Sequence, residues 1–210
     1  MYVQKLLQWN TKINLVSRKD EENIWTRHIL GSISFLFRFR IEQQSAVIDV
    51  GTGGGLPGIP LAIMLPDIRV TMIDSIQKKI LAVTDILSHL QIKNARAVLG
   101  RADEIARKKE FEHLFDYVIA RAVAPITDIV KWTNPLLKQN LGNQFPALQN
   151  RHTIPRGSIL LLKGGDLACE IDKANLKVKP RAMHVYPIIV EGIDASAGDL
   201  HDKKLVVIYP

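Results

Sequence analysis

The chain has 210 residues, the length of one domain or a little more at about 150 residues per domain. Apolar residues make up 47% and charged residues 23%, a globular balance that excludes a wholly disordered chain. Lys and Arg outnumber Asp and Glu by 28 to 21, and this net charge of +7 is compatible with a polyanionic partner without identifying one. No apolar run approaches the roughly 18 residues a membrane span needs, and Met1 to Lys5 lack the pattern of a secretory leader. The single cysteine, Cys169, excludes an internal disulfide and cysteine-based zinc sites, and it predicts a reducing, cytoplasmic setting. The six histidines are scattered, so no metal site is expected.

The first 40 residues read as helical. Val3, Leu6, Leu7, Trp9 and Ile13 recur at roughly helical spacing, as far as Leu15. After a polar turn at Ser17 to Asp20, the apolar positions from Ile24 to Leu36 predict one second amphipathic helix, capped by Asp20 or Ser17. The pattern changes at residue 46. Ala46 to Val50 is a β-branched run ending in a glycine cluster, which predicts a buried strand and a turn. Helices are then predicted at 57–65, 77–90, 103–108, 125–137 and 166–174, alternating with strands at 69–73, 95–99, 115–120 and 158–162. Residues 138–157 are polar and loop-like, long enough for a functional role. Two strands at 183–190 and 204–209 close the chain with no helix between them. Alternating strands and helices imply a mostly parallel α/β sheet covered on both faces, and the last two strands imply an antiparallel edge.

The segment with most chemical content is Asp49-Val50-Gly51-Thr52-Gly53-Gly54-Gly55, between a strand and a helix, where open α/β sheets bind ligands. The dinucleotide fingerprint G-x-G-x-x-G fails, because its third glycine would fall at Leu56. A Walker phosphate loop fails too, since no Gly-Lys-Ser/Thr follows. Asp49 would repel a polyphosphate but suits the cationic amino-acid end of a ligand. Asp74 closes the second strand, where an acid can bind both hydroxyls of a ribose. It marks a nucleoside without saying which, and capping the next helix is its plainer role.

An acid before G-x-G-x-G, with a second acid at the next strand end, resembles the class I S-adenosylmethionine-dependent methyltransferases. The longer run from Asp49 through Leu56-Pro57-Gly58-Ile59-Pro60-Leu61 is similar to the glucose-inhibited division protein B family, guanine-N7 methyltransferases of small-subunit (16S) ribosomal RNA. Trp9-Asn10-x-x-Ile13-Asn14-Leu15 and Arg27-His28-Ile29-Leu30-x-Ser32 resemble motifs upstream. Asp74-Ser75, Arg101-Ala102-Asp103-Glu104, Ala120-Arg121-Ala122 and Leu162-Lys163-Gly164-Gly165 continue the resemblance downstream, over residues 2–210. The chain departs from the pattern at Lys203, where members can carry Arg, and it begins inside what is usually a longer helix. The resemblance implies a Rossmann-like class I methyltransferase domain over residues 45–210 behind a helical extension over 1–44. It also implies S-adenosylmethionine as cofactor, and small-subunit ribosomal RNA or the small ribosomal subunit as partner. A monomer with no membrane association is expected.

Under that resemblance the cofactor residues are Asp49, Gly51, Gly53, Gly55, Leu56, Asp74, Ser75, Ala102, Asp103 and Arg121. Asp49 would orient the cofactor's amino end or brace the glycine turn. Asp103 would accept from the adenine amine or merely cap a helix. The residues on the reacting side are Arg121, Arg101, Lys163, His28 and Asn14, the last two assigned mainly through the resemblance. Arg121 would meet the guanine Hoogsteen edge or a phosphate, or else pair with Asp103 or Glu104. Lys163 would contact an RNA phosphate. The extension, the 138–157 loop and the basic ends would form the RNA-facing rim.

Guanine N7 carries a lone pair and no proton, so positioning can replace a general base. The sequence fits such a target by elimination. Cys169 is poorly placed for attack on a pyrimidine and is expected to be a buried small hydrophobe. No Asn/Asp-Pro-Pro-aromatic tetrad for amine methylation follows the fourth strand. The rival readings are a nicotinamide-dependent oxidoreductase, a non-catalytic RNA-binding protein, and a methyltransferase acting on another RNA or a small molecule.

Overall fold

The computed structural model describes residues 1–139, 145, 147–149, 152–188, 190 and 202–210. Among the described residues seven strands form one sheet: β1 (Ala46–Val50), β2 (Arg69–Asp74), β3 (Ala95–Leu99), β4 (Tyr117–Arg121), β5 (Ser158–Lys163), β6 (Ala182–Pro187) and β7 (Lys204–Tyr209). Their order is β3-β2-β1-β4-β5-β7-β6. The first five are parallel, and β7 runs antiparallel between β5 and β6. The two terminal strands therefore pair as expected, but the last one is inserted and β6 takes the edge.

Period-two alternation builds the two faces. Val47, Tyr117 and Ile119 join one apolar cluster, while Ile48, Val50, Val118 and Ala120 join the other. The helices, in chain order, are α1 (Tyr2–Asn10), α2 (Gly31–Ile33), α3 (Gly58–Met64), α4 (Gln77–His89), α5 (Ala102–Ile105), α6 (Ile126–Thr133) and α7 (Ala168–Lys177). The residues before the sheet share its core: Tyr2, Leu6, Ile24 and Phe35 lie in the same cluster as Val47 and Tyr117.

Two helical expectations fail in an instructive way. The second amphipathic helix is a run of short pieces: a π-helix at Ile24–Leu30, then α2, then a 3₁₀ turn at Ser34–Phe37. The helix predicted over 125–137 ends at Thr133, and Asn134–Leu136 tightens to a 3₁₀ turn at Pro135. Of the 138–157 loop, residues 140–144, 146, 150 and 151 lie outside the described residues. The described part docks at the amino end of β4, where Lys138 N–H donates to Phe115 O and the Tyr117 hydroxyl donates to Ile154 O. That end is a strand length away from the carboxyl ends at which the glycine turn sits, so this part does not rim the glycine turn.

The carboxyl ends of β1 and β4 are neighbours, yet their following segments leave in opposite directions, α3 beneath one face and α6 on the other. That divergence opens the crevice of a doubly wound sheet. Among the described residues no helix is long and apolar enough to cross a membrane.

Candidate active site

Two cavities flank this crevice, and Ala122 lines both. The glycine-side cavity, about 360 Å³, is lined among others by Gly51, Asp74, Ser75, Arg101, Ala102 and Asp103, with Lys79, Val123 and Trp132 beside them. The arginine-side cavity, about 380 Å³, holds Asp20, Arg27, His28, Arg121, Lys163, Glu170 and Lys203. Ala122 has φ +52°, a left-handed conformation that L-residues rarely adopt and that concentrates at functional sites.

The glycine turn is built by backbone geometry. Gly51 has φ +68°, and a Cβ there would lie 2.6 Å from Val123 Cγ2. At Gly54 the pressure comes from the extension: a Cβ would lie 2.7 Å from Leu6 Cδ1, and the Tyr2 hydroxyl donates to Gly54 O at 2.9 Å. Helix α1 thus clamps the outside of the turn.

Asp49 is fully buried beneath the turn. Its Oδ2 accepts from Thr52 Oγ1 at 2.5 Å and from Gly58 N–H at 2.9 Å. Its Oδ1 has no hydrogen-bond partner among the described residues. Burial pushes its carboxyl up to about 7, against the opposing pull of Thr52, Gly58 and Arg121. Asp49 therefore braces the turn with one oxygen and leaves the other unsatisfied. Asp74 is divided similarly: Oδ2 accepts from Gly53 N–H at 3.0 Å and Oδ1 from Ile76 N–H at 2.9 Å. Each carboxylate oxygen has two lone pairs, so both retain capacity for a ligand hydroxyl.

Arg101 and Asp103 pair with each other at 3.1 Å on the rim of this cavity. The alternative of an Arg121 ion pair with Asp103 or Glu104 is thereby replaced: Arg101 takes that partner. Asp103 is not the cap of α5, whose N-cap position is Arg101. Gly53, Gly55 and Leu56 shape the turn without lining either cavity, and Leu56 is 4% exposed.

On the other side, Arg121 leaves the end of β4 and meets the π-helix. Its Nη2 lies 2.9 Å from His28 Nδ1, and its Nη1 approaches the carbonyls of Arg27 and His28 at 3.5 and 3.4 Å. His28 Nε2 is 3.3 Å from Asp20 Oδ2, and Asp20 Oδ1 accepts from Arg27 Nη1 at 2.7 Å. An Arg always donates, so Nδ1 must accept, and the ring proton of a neutral His28 sits on Nε2, facing Asp20. Burial and the Arg121 charge hold the His28 imidazole below its ordinary value. Lys163 lines the cavity but is committed: its Nζ donates to Glu170 Oε1 at 2.6 Å and to Ala124 O at 3.1 Å. The phosphate contact expected of it would have to displace Glu170, whose Oε1 also accepts Ile126 N–H at 2.6 Å.

Asn14 is exposed and lines neither cavity. Asn10 carries the load in that motif, its Oδ1 accepting from Leu15 and Val16 N–H and its Nδ2 donating to Glu21 at 2.6 Å. Cys169 is exposed rather than buried, because Ala174 of α7 and Leu167 just before it turn toward the core and leave Cys169 on the solvent side. Sequence reasoning missed Glu170 altogether and read Asp20 only as a helix cap. No local signal marks either one, since their partners lie on other elements or across a turn.

Comparison with known proteins gives the family and the fold. Residues 1–191 match the family described as rRNA small subunit methyltransferase G. A Flavobacterium johnsoniae protein named ribosomal RNA small subunit methyltransferase G is 40% identical over 163 residues, 78% of this chain and 70% of the relative. A Bacteroides fragilis protein of the same name is 39% identical over 164 residues, 78% of this chain and 72% of the relative. Among solved structures, an Aquifex aeolicus SAM-dependent methyltransferase aligns with a TM-score of 0.57 at 11% identity, covering 92% of this chain and 96% of that one. A Geobacter metallireducens precorrin-6y C5,15-methyltransferase aligns with a TM-score of 0.56 at 12% identity, covering 94% and 92%. At such identities these two show the shared fold.

Proposed function

The chain belongs to the rRNA small subunit methyltransferase G family and is an S-adenosylmethionine-dependent methyltransferase of small-subunit ribosomal RNA, and from that premise we propose that its target atom is N7 of a guanine. The observation that carries the division of labour is the pair of cavities meeting at Ala122. The first sets glycine turns and the carboxylates of Asp74 and Asp103 beside Lys79 and Arg101, and the second sets four cations, Arg27, Arg121, Lys163 and Lys203, beside Asp20 and Glu170.

The glycine-side cavity fits the cofactor. Its volume lies within the range of small-ligand sites. Asp74 and Ser75 would hold the ribose, and Ala102 and Asp103 the adenine. Gly51 and Gly53 would let the backbone approach closely, and the unsatisfied Oδ1 of Asp49 favours a cationic amino end nearby. When bound, S-adenosylmethionine supplies a methyl group on a sulfonium sulfur. Guanine N7 supplies a lone pair and no proton, so no residue of the chain has to act as a base and positioning carries the acceleration.

The arginine-side cavity is proposed to take the base and its flanking phosphates. Arg121 and His28 would meet the base, with Arg27, Lys163 and Lys203 toward phosphate. The methylated purine is cationic, so a neutral His28 suits a cavity already holding those four cations. Reaching N7 requires the nucleotide to leave its stack. Arg101, exposed on the rim of the other cavity, would contact RNA beside the cofactor. Asn14 is retained only as a surface contact. The chain is proposed to act in the cytoplasm on RNA or the assembled small subunit.

Labelled S-adenosylmethionine and small subunits lacking the modification test the assignment. Nuclease digestion and nucleoside mass analysis should give labelled 7-methylguanosine. A different methylated nucleoside would overturn the N7 assignment and leave the fold and cofactor in place.

A further inference from the structure

Arg121 is half-buried at the mouth of the arginine-side cavity, and what fixes its direction is on the far side of the chain. The π-helix Ile24–Leu30 wraps its guanidinium with two backbone carbonyls and the Nδ1 of His28. A π-turn widens the helix by a residue and turns carbonyls off the usual ladder, a distortion frequent at functional sites. His28 can accept from Arg121 only in the tautomer whose proton is on Nε2. Among the described residues, the one carboxylate within hydrogen-bond distance of that proton is Asp20, at 3.3 Å.

We propose that Asp20 is a positioning residue for methyl transfer: it fixes the His28 tautomer, and His28 in turn aims Arg121 at the base. The inference rests on the reading that Arg121 faces the substrate. Asp20 is not free to choose another role for this oxygen. Its Oδ1 is already taken by Arg27 at 2.7 Å, which orients the carboxylate and leaves Oδ2 directed at the ring. Without the carboxylate, the ring can place its proton on Nδ1 instead, and two donors would then oppose each other across 2.9 Å. The same conflict arises when His28 is protonated. The charged groups around it are Asp20 and Arg27 from the N-terminal segment, Arg121 from β4, Lys163 and Glu170 from β5 and α7, and Lys203. The arginines disfavour an imidazolium and Asp20 favours it.

Three variants, D20A, D20N and R121A, assayed from pH 5 to 9 at saturating cofactor, separate the alternatives. D20A should lower kcat about 10–100-fold, the scale on which losing the group that orients a metal-ligating histidine acts, with cofactor affinity unchanged. Asn keeps an acceptor for Nε2–H, so D20N should retain more activity than D20A. Its acid limb should move to lower pH, because the charge that favoured the imidazolium is gone. The ¹H–¹⁵N imidazole spectrum of labelled histidine reports the tautomer without any assay. His28 should be the Nε2–H form in the wild type and in D20N, and should lose it in D20A. Should D20A fail to fold, the D20N acid limb and spectrum decide alone. An unmoved acid limb in D20N, or a D20A protein with wild-type kcat and tautomer, overturns the proposal. A wild-type kcat in R121A would instead overturn the reading beneath it.

Discussion

The two cavities share a wall at Ala122 and are built by opposite means. The glycine-side cavity is made mainly from four loops that each follow their own strand, β1 to β4, by a few residues. Its working parts are backbone N–H groups, two carboxylates and the space that absent side chains leave. The arginine-side cavity is made from long side chains that the chain brings together from far apart: His28 and Arg121 are 93 positions apart in sequence. The first should be damaged by adding atoms and the second by removing charge. Function should therefore fail differently in the two halves.

The sharpest test of that division is R121A. Removing the guanidinium should lower kcat by about 10²–10³-fold, the scale seen when one preorganised donor is taken from a reacting site, while the cofactor dissociation constant changes less than about threefold. R121K should recover little, since an ammonium cannot reproduce a planar fork held by His28 Nδ1 and two carbonyls. Equal losses in cofactor binding and in methyl transfer would break the comparison, because the halves would then be one site.

Asp49 sits between the halves, within electrostatic reach of both Asp74 and Arg121. Its carboxyl is raised to about 7 in the folded chain, whereas an unfolded Asp titrates near 3.9. Between those values the native state holds a proton that the unfolded state has lost, so stability falls as pH rises through this window and levels off above it. Over the whole window the loss is on the order of 4 kcal/mol. D49N should abolish the slope and be the more stable protein above pH 7, by urea unfolding at fixed ionic strength. Saturating cofactor should flatten the wild-type slope, if its ammonium pairs with the free oxygen. A wild-type stability that is flat from pH 5 to 8 would show that Asp49 is ionised throughout.

How much of each half was legible follows from how it is built. Strands β1 and β7 lie where the pattern put them, at 46–50 and 204–209, because a buried strand announces itself by apolar residues within its own length. Asp74 and Gly51 were legible for the same reason: each is a strand end followed by its own turn. The π-helix was not, since Ile24 to Leu36 have the same apolar spacing whether the ladder is i to i+4 or widened by one residue. Asn10 and Asn14 sit in one motif, and only the fold shows that Asn10 turns inward to hold the next loop. Glu170 meets Lys163 and the start of α6 only after β4 and β5 are paired. The position of β7 between β5 and β6 depends on pairing energies that no single strand carries.

G51A tests the claim that the glycine half fails by added atoms. The new methyl would fall 2.6 Å from Val123, at a φ of +68° that disfavours any Cβ. Overpacking with strain of this kind costs about 1–3 kcal/mol of stability. Cofactor affinity should fall about tenfold by titration calorimetry, and kcat at saturating cofactor should change far less. The double variant G51A/V123A should recover part of the affinity by reopening the space, and failure to do so would place the damage in the backbone rather than in the collision.

The shared wall should give the smallest effect. Ala122 holds φ +52°, which costs an L-residue roughly 1 kcal/mol that glycine would not pay. Glycine, however, gains about as much freedom in the unfolded chain, some 0.4–1 kcal/mol. A122G should therefore leave stability within about 0.5 kcal/mol of the wild type, although a strained residue has been relieved. Activity is the more telling readout, because Ala122 directly follows Arg121. A freer hinge there should let the guanidinium wander, lowering kcat a few-fold while cofactor affinity holds. If A122G instead loses affinity and leaves kcat intact, the alanine methyl serves the glycine-side cavity it lines with Gly51 and Val123, and the wall belongs to that half.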